Sequence, residues 1–231
     1  MKSYLCIGDI HGCIQQLREL MDQIHADLAQ DPKQGQHIPD HIQWVFLGDY
    51  IDRGPDPAGV IEYLRKHAER YPESIFLRGN HEEMLFDVIE SVGPARASEF
   101  LERKGISREN YDWLAENSRF CFKSEEYVFT HAGLNVERGL PEQTHADYLW
   151  SYHESEFYNA PDHIIVHGHI SVDVVTILGN NVNVDTGCGK GGRLSAILLP
   201  EGRTFASETR GVNQKLIDLI KEAGGSGEMN L

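Results

Sequence analysis

The sequence has few cysteines and no long apolar run. Its four cysteines are scattered over 231 residues without a C-x-x-C pair, so neither a zinc knuckle nor a disulfide framework is indicated. The longest apolar runs, such as Trp44–Leu47 and Ala196–Leu199, have strand length, far below the roughly 20 residues of a membrane helix. The first residues also lack the hydrophobic stretch of a secretory signal. These absences predict a soluble, cytoplasmic protein that does not contact a membrane.

Basic side chains are scarce. Lysine and arginine total 21 against 36 acidic residues, which gives a net charge of −15. Long nucleic acids are held by lysine and arginine, so this charge argues against a nucleic-acid partner. Carboxylates that bind divalent cations form locally positive sites, however, so an acidic protein can still act on small phosphates. The sequence leaves the oligomeric state open.

What is present is an ordinary globular composition, with 40% hydrophobic and 25% charged residues. A chain of this length fits one domain with a sizeable core. We expect that domain to cover residues 1–223, including a short helix over 213–223. The remaining residues, 224–231, are expected to form a flexible C-terminal tail.

Strand and helix patterns alternate in the first half of the chain. Tyr4–Ile7, Trp44–Leu47 and Ser74–Leu77 are predicted strands, and the segments between the strands show helical spacing. The second half contains several short strands separated by turns. The pattern predicts an α/β fold in which a second sheet packs on the first.

Five short segments at the ends of predicted strands are rich in histidine, aspartate and asparagine. They are Gly8–Gly12, Gly48–Gly54, Gly79–Glu82, His131–Gly133 and His167–His169. Ligand sites in open α/β sheets lie at the carboxyl ends of strands. Carboxylate, imidazole and amide groups together suit divalent ions such as Mn²⁺, Zn²⁺ or Fe²⁺. Any one segment alone is compatible with a solvated turn, but five in one chain predict a metal site.

The order of these segments resembles the phosphoprotein phosphatase branch of the calcineurin-like metallophosphoesterases. Bacterial serine/threonine phosphatases and symmetrical diadenosine tetraphosphatases are similar in style. The resemblance extends from Tyr4 to about Leu199 and includes Val184–Gly187 and Gly191–Leu194. It implies a sandwich of two mixed sheets flanked by helices. It also implies a centre of two divalent metal ions, with Mn²⁺ favoured over Fe or Zn²⁺.

The resemblance also implies roles for individual residues. The implied metal ligands are Asp9, His11, Asp49, Asn80, His131 and His169, with Asp49 bridging the two ions. Two cations can clamp the attacking and leaving oxygens, and a bridging water supplies hydroxide. His81 is the implied general acid, Asp52 orients it, and Arg53 holds phosphate oxygens.

Two positions depart from the family pattern. Many relatives carry a second phosphate-binding arginine shortly after a tryptophan, but this chain has Tyr152 there, after Trp150. Lys190 lies in a late glycine-rich segment where relatives often place an aromatic residue. We expect Lys190 and Tyr152 to contact the substrate, with Lys190 acting as a point charge toward phosphate.

Three functions are compatible with these residues. The favoured one is hydrolysis of phosphate monoesters on phosphorylated proteins or peptides, or on small phosphate esters. The first alternative is hydrolysis of dinucleoside polyphosphates such as diadenosine tetraphosphate. An inactive binding scaffold is the third, but it is disfavoured because every implied ligand position is present.

Overall fold

The structure is a computed structural model that describes residues 2–29, 38–152, 158–160 and 162–211. The helix expected over 213–223 and the tail expected over 224–231 lie outside the described residues.

The described chain contains eleven strands and six α-helices. The strands are β1 (Ser3–Ile7), β2 (Ile42–Phe46), β3 (Ile75–Leu77), β4 (Ser118–Arg119), β5 (Cys121–Lys123), β6 (Tyr127–Thr130), β7 (Ile164–His167), β8 (Thr176–Leu178), β9 (Asn181–Asn183), β10 (Ser195–Leu199) and β11 (Arg203–Ala206). The helices are α1 (Ile14–Leu28), α2 (Pro57–Arg70), α3 (Asn80–Val92), α4 (Pro94–Arg103), α5 (Arg108–Asn117) and α6 (His145–Trp150).

The strands form two mixed sheets. The first has six strands in the order β11-β10-β1-β2-β3-β4, and the second has five in the order β5-β6-β7-β9-β8. Strands β1 to β4 run parallel to one another, whereas β10 pairs antiparallel with β1. In the second sheet, β6, β7 and β9 are parallel. The predicted α/β fold with two sheets is therefore confirmed.

The alternation of side chains along β1 shows how the layers pack. Tyr4 and Cys6 belong to an apolar cluster shared with Phe129 of β6 and Val166 of β7, so this face lies against the second sheet. Leu5 and Ile7 point to the other face, in a cluster that includes side chains of the helices. Because successive side chains of a strand point to opposite faces, a strand buried on both sides is apolar throughout. Strand β1 is therefore buried on both faces.

Two features of the fold differ from the sequence expectation. The segment Ser118–Lys123 forms the short strands β4 and β5, although its mixed composition gave no strand pattern. The helix α6 was also missed, and it begins at a capping box in which Thr144 accepts the N–H of Asp147. Among the described residues, no helix is long and apolar enough to cross a membrane.

Candidate metal centre

The strand ends bring the predicted ligands to one edge of the sandwich. Asp9 and His11 follow β1, Asp49 follows β2, and Asn80 begins α3 directly after β3. His131 follows β6 and His169 follows β7, so the second sheet contributes to the same edge. Parallel strands within each sheet end at the same side, and the packing of the sheets aligns those sides.

Asp49 lies at the centre of the ligand set. One carboxylate oxygen is 3.3 Å from Nε2 of His11, and the other is 3.5 Å from Nε2 of His131. Two groups of possible metal ligands share this residue. They are His11, Asp49 and His81 in one group and Asp49, His131 and His169 in the other, each with ligand atoms within 4.8 Å of one another. This arrangement suits a bridging carboxylate.

Asn80 and Asp9 complete the neighbourhood. The amide oxygen of Asn80 is 3.0 Å from Nε2 of His131 and 3.1 Å from Nδ1 of His169. The carboxylate of Asp9 accepts the backbone N–H of His169 and lies 4.0 Å from Nε2 of His11. The six predicted ligands are therefore brought together, although the first group includes His81 and not Asp9.

Backbone carbonyls orient two of the histidines. Nδ1 of His11 is 3.0 Å from the carbonyl of Ile51, and Nδ1 of His131 is 2.9 Å from that of Leu47. A carbonyl only accepts, so in each ring Nδ1 carries a proton and Nε2 is the nitrogen left to face a metal. In both rings Nε2 faces Asp49, as expected of a metal ligand.

The electrostatics of the cluster fit a bound cation. Burial raises the pKa of Asp9, and the neighbouring carboxylates of Asp185 and Asp49 raise it further. Burial lowers the pKa of His11 to about 4, so this ring is neutral near pH 7 and available as a ligand. Nε2 of His169 is buried without a hydrogen-bond partner among the described residues. Buried carboxylates, neutral imidazoles and an unpartnered nitrogen form a suitable donor set for divalent cations.

The backbone is unusual at the same residues. Among the described parts of the chain, the non-glycine residues with positive φ are His11, Asp49, Asp52, Arg53 and His169. A non-glycine residue in the left-handed region costs free energy and persists where its surroundings impose it. All five are predicted site residues. The strain is therefore concentrated in the turns that present the candidate site.

A second group of side chains surrounds the ligands. Nδ1 of His81 is 2.8 Å from a carboxylate oxygen of Asp52. Burial alone would lower the pKa of His81, but the hydrogen bond to Asp52 and the charge of Asp49 outweigh it and raise the pKa. Arg53 lies between two rings, with Nη1 2.7 Å from Nε2 of His11 and Nη2 3.2 Å from Nε2 of His81.

The two expected substrate contacts, Lys190 and Tyr152, both lie near His169. The Tyr152 ring centroid is 4.9 Å from that of His169, and the Tyr152 side chain is 67% exposed. The ammonium of Lys190 donates to Oγ of Ser171 at 2.8 Å, and Ser171 donates in turn to Asp185 at 2.8 Å.

Glu82 supports the candidate ligands without belonging to them. It flanks the asparagine motif together with Arg78, but Arg78 pairs with Glu83, at 2.8 Å. Glu82 is fully buried, and its carboxylate accepts the backbone N–H groups of Asp49, Tyr50, Ile51 and Gly79. It therefore joins the turn after β2 to the turn after β3.

The close approach of these two turns also depends on Gly79. A Cβ atom at this position would lie 2.1 Å from Oδ1 of Asp49, inside any permitted contact. Only glycine leaves room for the central carboxylate at this point of the chain.

Fold and donor set together define a metallophosphoesterase. A model of the calcineurin-like phosphoesterase family matches residues 2–198, and the chain belongs to that family.

Known proteins similar to this chain include nucleotide hydrolases and phosphatases. The chain is 30% identical to the bis(5'-nucleosyl)-tetraphosphatase PrpE, designated asymmetrical, of Halalkalibacterium halodurans, over 84% of this chain and 89% of the relative. A crystal structure provisionally named a diadenosine tetraphosphatase has a TM-score of 0.68 at 20% identity, covering 92% of this chain and 95% of that one. The cold-active protein-tyrosine phosphatase of a psychrophilic Shewanella species has a TM-score of 0.59 at 18% identity, covering 88% of this chain and 77% of that one. At these identities the two solved structures support the fold.

Proposed function

We propose that the protein is a two-metal phosphoesterase that hydrolyses dinucleoside tetraphosphates. The observation that carries the nucleotide preference is a pair of exposed aromatic side chains beside the candidate metal centre. The motif residues and the family resemblance by themselves favour phosphorylated peptides over dinucleotides. The aromatic pair and the tetraphosphatase relatives reverse that order.

The aromatic pair consists of Trp150 and Tyr152, at the end of α6. Large exposed hydrophobic side chains in the described structure are Met84, Trp150, Tyr152, Val174, Ile177 and Leu178, of which only two are aromatic. Both aromatic rings flank His169, with centroid distances of 6.2 Å for Trp150 and 4.9 Å for Tyr152. Exposed aromatic rings beside a phosphate site suit a nucleobase, because base stacking tolerates any base. This geometry favours a nucleotide as the substrate.

The similarity in sequence to known proteins also supports a nucleotide substrate. Curated relatives at 25% to 30% identity carry the name bis(5'-nucleosyl)-tetraphosphatase. Their similarity covers most of both chains, and the family match over residues 2–198 includes every candidate ligand. The net charge of −15 does not oppose a substrate of this size, since bound cations would reverse the local charge.

The proposed chemistry divides among the site residues. Divalent cations held by Asp9, His11, Asp49, Asn80, His131 and His169 would supply positive charge toward the phosphate oxygens and acidify a water near neutral pH. Arg53 would grip phosphate oxygens with its planar guanidinium, and Lys190 would add a point charge. His81, held by Asp52, would donate a proton to the departing oxygen. Mn²⁺ is the proposed metal, and the donor set of carboxylate, imidazole and amide groups suits it.

A second candidate substrate is a phosphomonoester on a protein or peptide. The hydrogen bond between His81 and Asp52 favours it, because an alkoxide leaves poorly unless it is protonated. A departing phosphate chain, by contrast, has a second pKa near 6 and needs little protonation. The hydrogen-bonded pair of His81 and Asp52 would therefore matter more for the peptide substrate than for the dinucleotide.

A competition assay tests the proposal. Mn²⁺-loaded protein receives diadenosine tetraphosphate and a phosphoserine peptide in one tube, and the products are separated and quantified. We expect nucleotide products to form faster than inorganic phosphate from the peptide. Equal amounts of ATP and AMP would indicate asymmetrical cleavage, and ADP alone would indicate symmetrical cleavage. Faster phosphate release from the peptide would contradict the nucleotide proposal and support the second candidate.

The aromatic contact has its own matched variants. Tyr152→Leu should raise the KM for diadenosine tetraphosphate by about 10-fold, since stacking on one base is worth roughly 1–3 kcal/mol. Tyr152→Phe keeps the ring and should stay close to the wild type. A KM that Tyr152→Leu leaves unchanged would exclude stacking on this residue.

A further inference from the structure

Lys104 contacts the pair of Asp52 and His81, although it lies in a distant part of the sequence. It is the residue that follows α4, and its ammonium group contacts Oδ1 of Asp52. The two residues are 52 positions apart, and Lys104 belongs to none of the five motif segments. No sequence pattern associates it with the site.

The contact makes Asp52 a bridge between two nitrogen donors. Its Oδ2 accepts from Nδ1 of His81 at 2.8 Å while its Oδ1 accepts from Lys104. The Asp52 side chain is 22% exposed and that of Lys104 is 36% exposed, so water screens this pair less than a fully exposed one. With one partner on each oxygen, rotation of the carboxylate would break both hydrogen bonds. Lys104 therefore restricts the orientation in which Asp52 meets His81.

The helical segment between β3 and β4 fixes the position of Lys104. The backbone N–H of Lys104 donates to the carbonyl of Phe100, and Gly105, with φ of 66°, then ends α4. Leu101 of the same helix is 3% exposed and belongs to the main core cluster. The end of α4 is thus anchored in the core, and α4 follows directly on α3, whose first turn carries His81. Two consecutive helices, separated at Gly93, supply the two partners of Asp52.

We propose that Lys104 is a positioning residue for the Asp52–His81 pair. It fixes the carboxylate so that His81 presents its other nitrogen toward the departing oxygen, and it balances the negative charge of Asp52. This inference rests on the proposed role of His81 as the proton donor. It assigns no contact between Lys104 and the substrate.

The test compares two aryl phosphates that differ in their leaving group. p-Nitrophenyl phosphate has a good leaving group and phenyl phosphate a poor one, so only the second depends strongly on proton donation. Lys104→Met should lower kcat for phenyl phosphate by about 10-fold, as loss of an outer-shell partner commonly does. The loss for p-nitrophenyl phosphate should be several times smaller. Lys104→Arg, which keeps the charge, should recover most of the activity.

Two controls separate positioning from other effects. Lys66→Met removes an exposed lysine of α2 and should leave both substrates unchanged. In a His81→Asn background, Lys104→Met should have no further effect on the ratio of the two rates, because the residue that it positions is absent. Thermal unfolding of each variant shows whether any loss of rate reflects loss of fold.

Several outcomes would overturn the proposal. An equal loss on both substrates, or a rise in KM at constant kcat, would instead indicate a structural role or a direct phosphate contact. A loss that persists undiminished in the His81→Asn background would also contradict positioning. If His81→Asn alone showed no dependence on the leaving group, the proton-donor role itself would fail, and the proposal for Lys104 with it. If His81→Asn showed that dependence and Lys104→Met did not, only the Lys104 proposal would fail.

Discussion

The carboxylate of Glu82 accepts a hydrogen bond of 2.8 Å from the backbone N–H of Asp49. The same carboxylate also accepts from Tyr50, Ile51 and Gly79, so one buried side chain satisfies four backbone donors of two neighbouring turns. Because Asp49 is the central candidate ligand, the position of the candidate metal centre depends on a residue that would not itself contact a metal.

Removal of this carboxylate should destabilise the protein strongly. Glu82→Ala leaves four buried N–H groups without an acceptor, and we expect a loss of about 3–5 kcal/mol in the free energy of unfolding. Glu83→Ala is the matched control in the same turn. It removes only the ion pair with Arg78 and should cost about 1 kcal/mol or less. Urea unfolding of both variants measures the difference, and similar losses would contradict the role given to Glu82.

Asp49→Asn should abolish almost all activity while the fold persists. The substitution keeps the shape of the side chain but removes the charge that both candidate ligand groups share. We expect kcat to fall by at least about 1,000-fold, since both metal sites weaken together. Circular dichroism checks the fold, and activity near the wild-type level would exclude Asp49 as the bridging ligand.

Gly189→Ala should displace the ring of His11, although Gly189 lies outside the five motif segments. A Cβ atom at position 189 would lie 2.6 Å from Cβ and 2.7 Å from Cγ of His11, so the ring must move. We expect weaker metal binding, measured by Mn²⁺ titration of the metal-free protein. Gly139→Ala is the control, because its nearest atom would be 3.7 Å away. Equal Mn²⁺ affinity in the two variants would argue against His11 as a ligand.

The Asp52 carboxylate should stabilise the metal-free protein in a pH-dependent way. Burial would raise its pKa, but the hydrogen bonds from His81 and Lys104 outweigh burial and lower the pKa from 3.8 to about 2. A lowered folded-state pKa adds stability above the unfolded value of 3.8, and this stability is lost as the pH falls toward about 2. The stability difference between wild type and Asp52→Asn should therefore be full at pH 5 and shrink as the pH is lowered to 3. Urea unfolding in EDTA measures it, and a difference independent of pH would contradict the lowered pKa.

The family and the architecture were predictable because their signals are local. Asp9, Asp49 and Asn80 each follow a strand-length apolar run, and the turns that carry them are rich in glycine. Such runs fix where a strand ends, and parallel strands bring their ends to one edge. The motif residues were therefore expected to meet, and the structure brings them together.

The supporting contacts could not be predicted from the sequence, and the reason is physical. The role of Glu82 is not visible in the sequence, because a sequence does not show that four unpaired N–H groups surround its side chain. Lys104 and Asp52 meet only after α3 and α4 have packed, and nothing within a few residues of either predicts the other. The short strands Ser118–Arg119 and Cys121–Lys123 are set by pairing with β3 and β6, not by their own composition.

The measurement that tests the central claim most directly is calorimetric titration of Mn²⁺ into metal-free protein, with hydrolysis of diadenosine tetraphosphate followed in parallel. The account predicts two Mn²⁺ ions per chain, activity that appears as both sites fill, and loss of both binding and activity in Asp49→Asn. Binding of no Mn²⁺, or full hydrolysis by the metal-free protein, would contradict it.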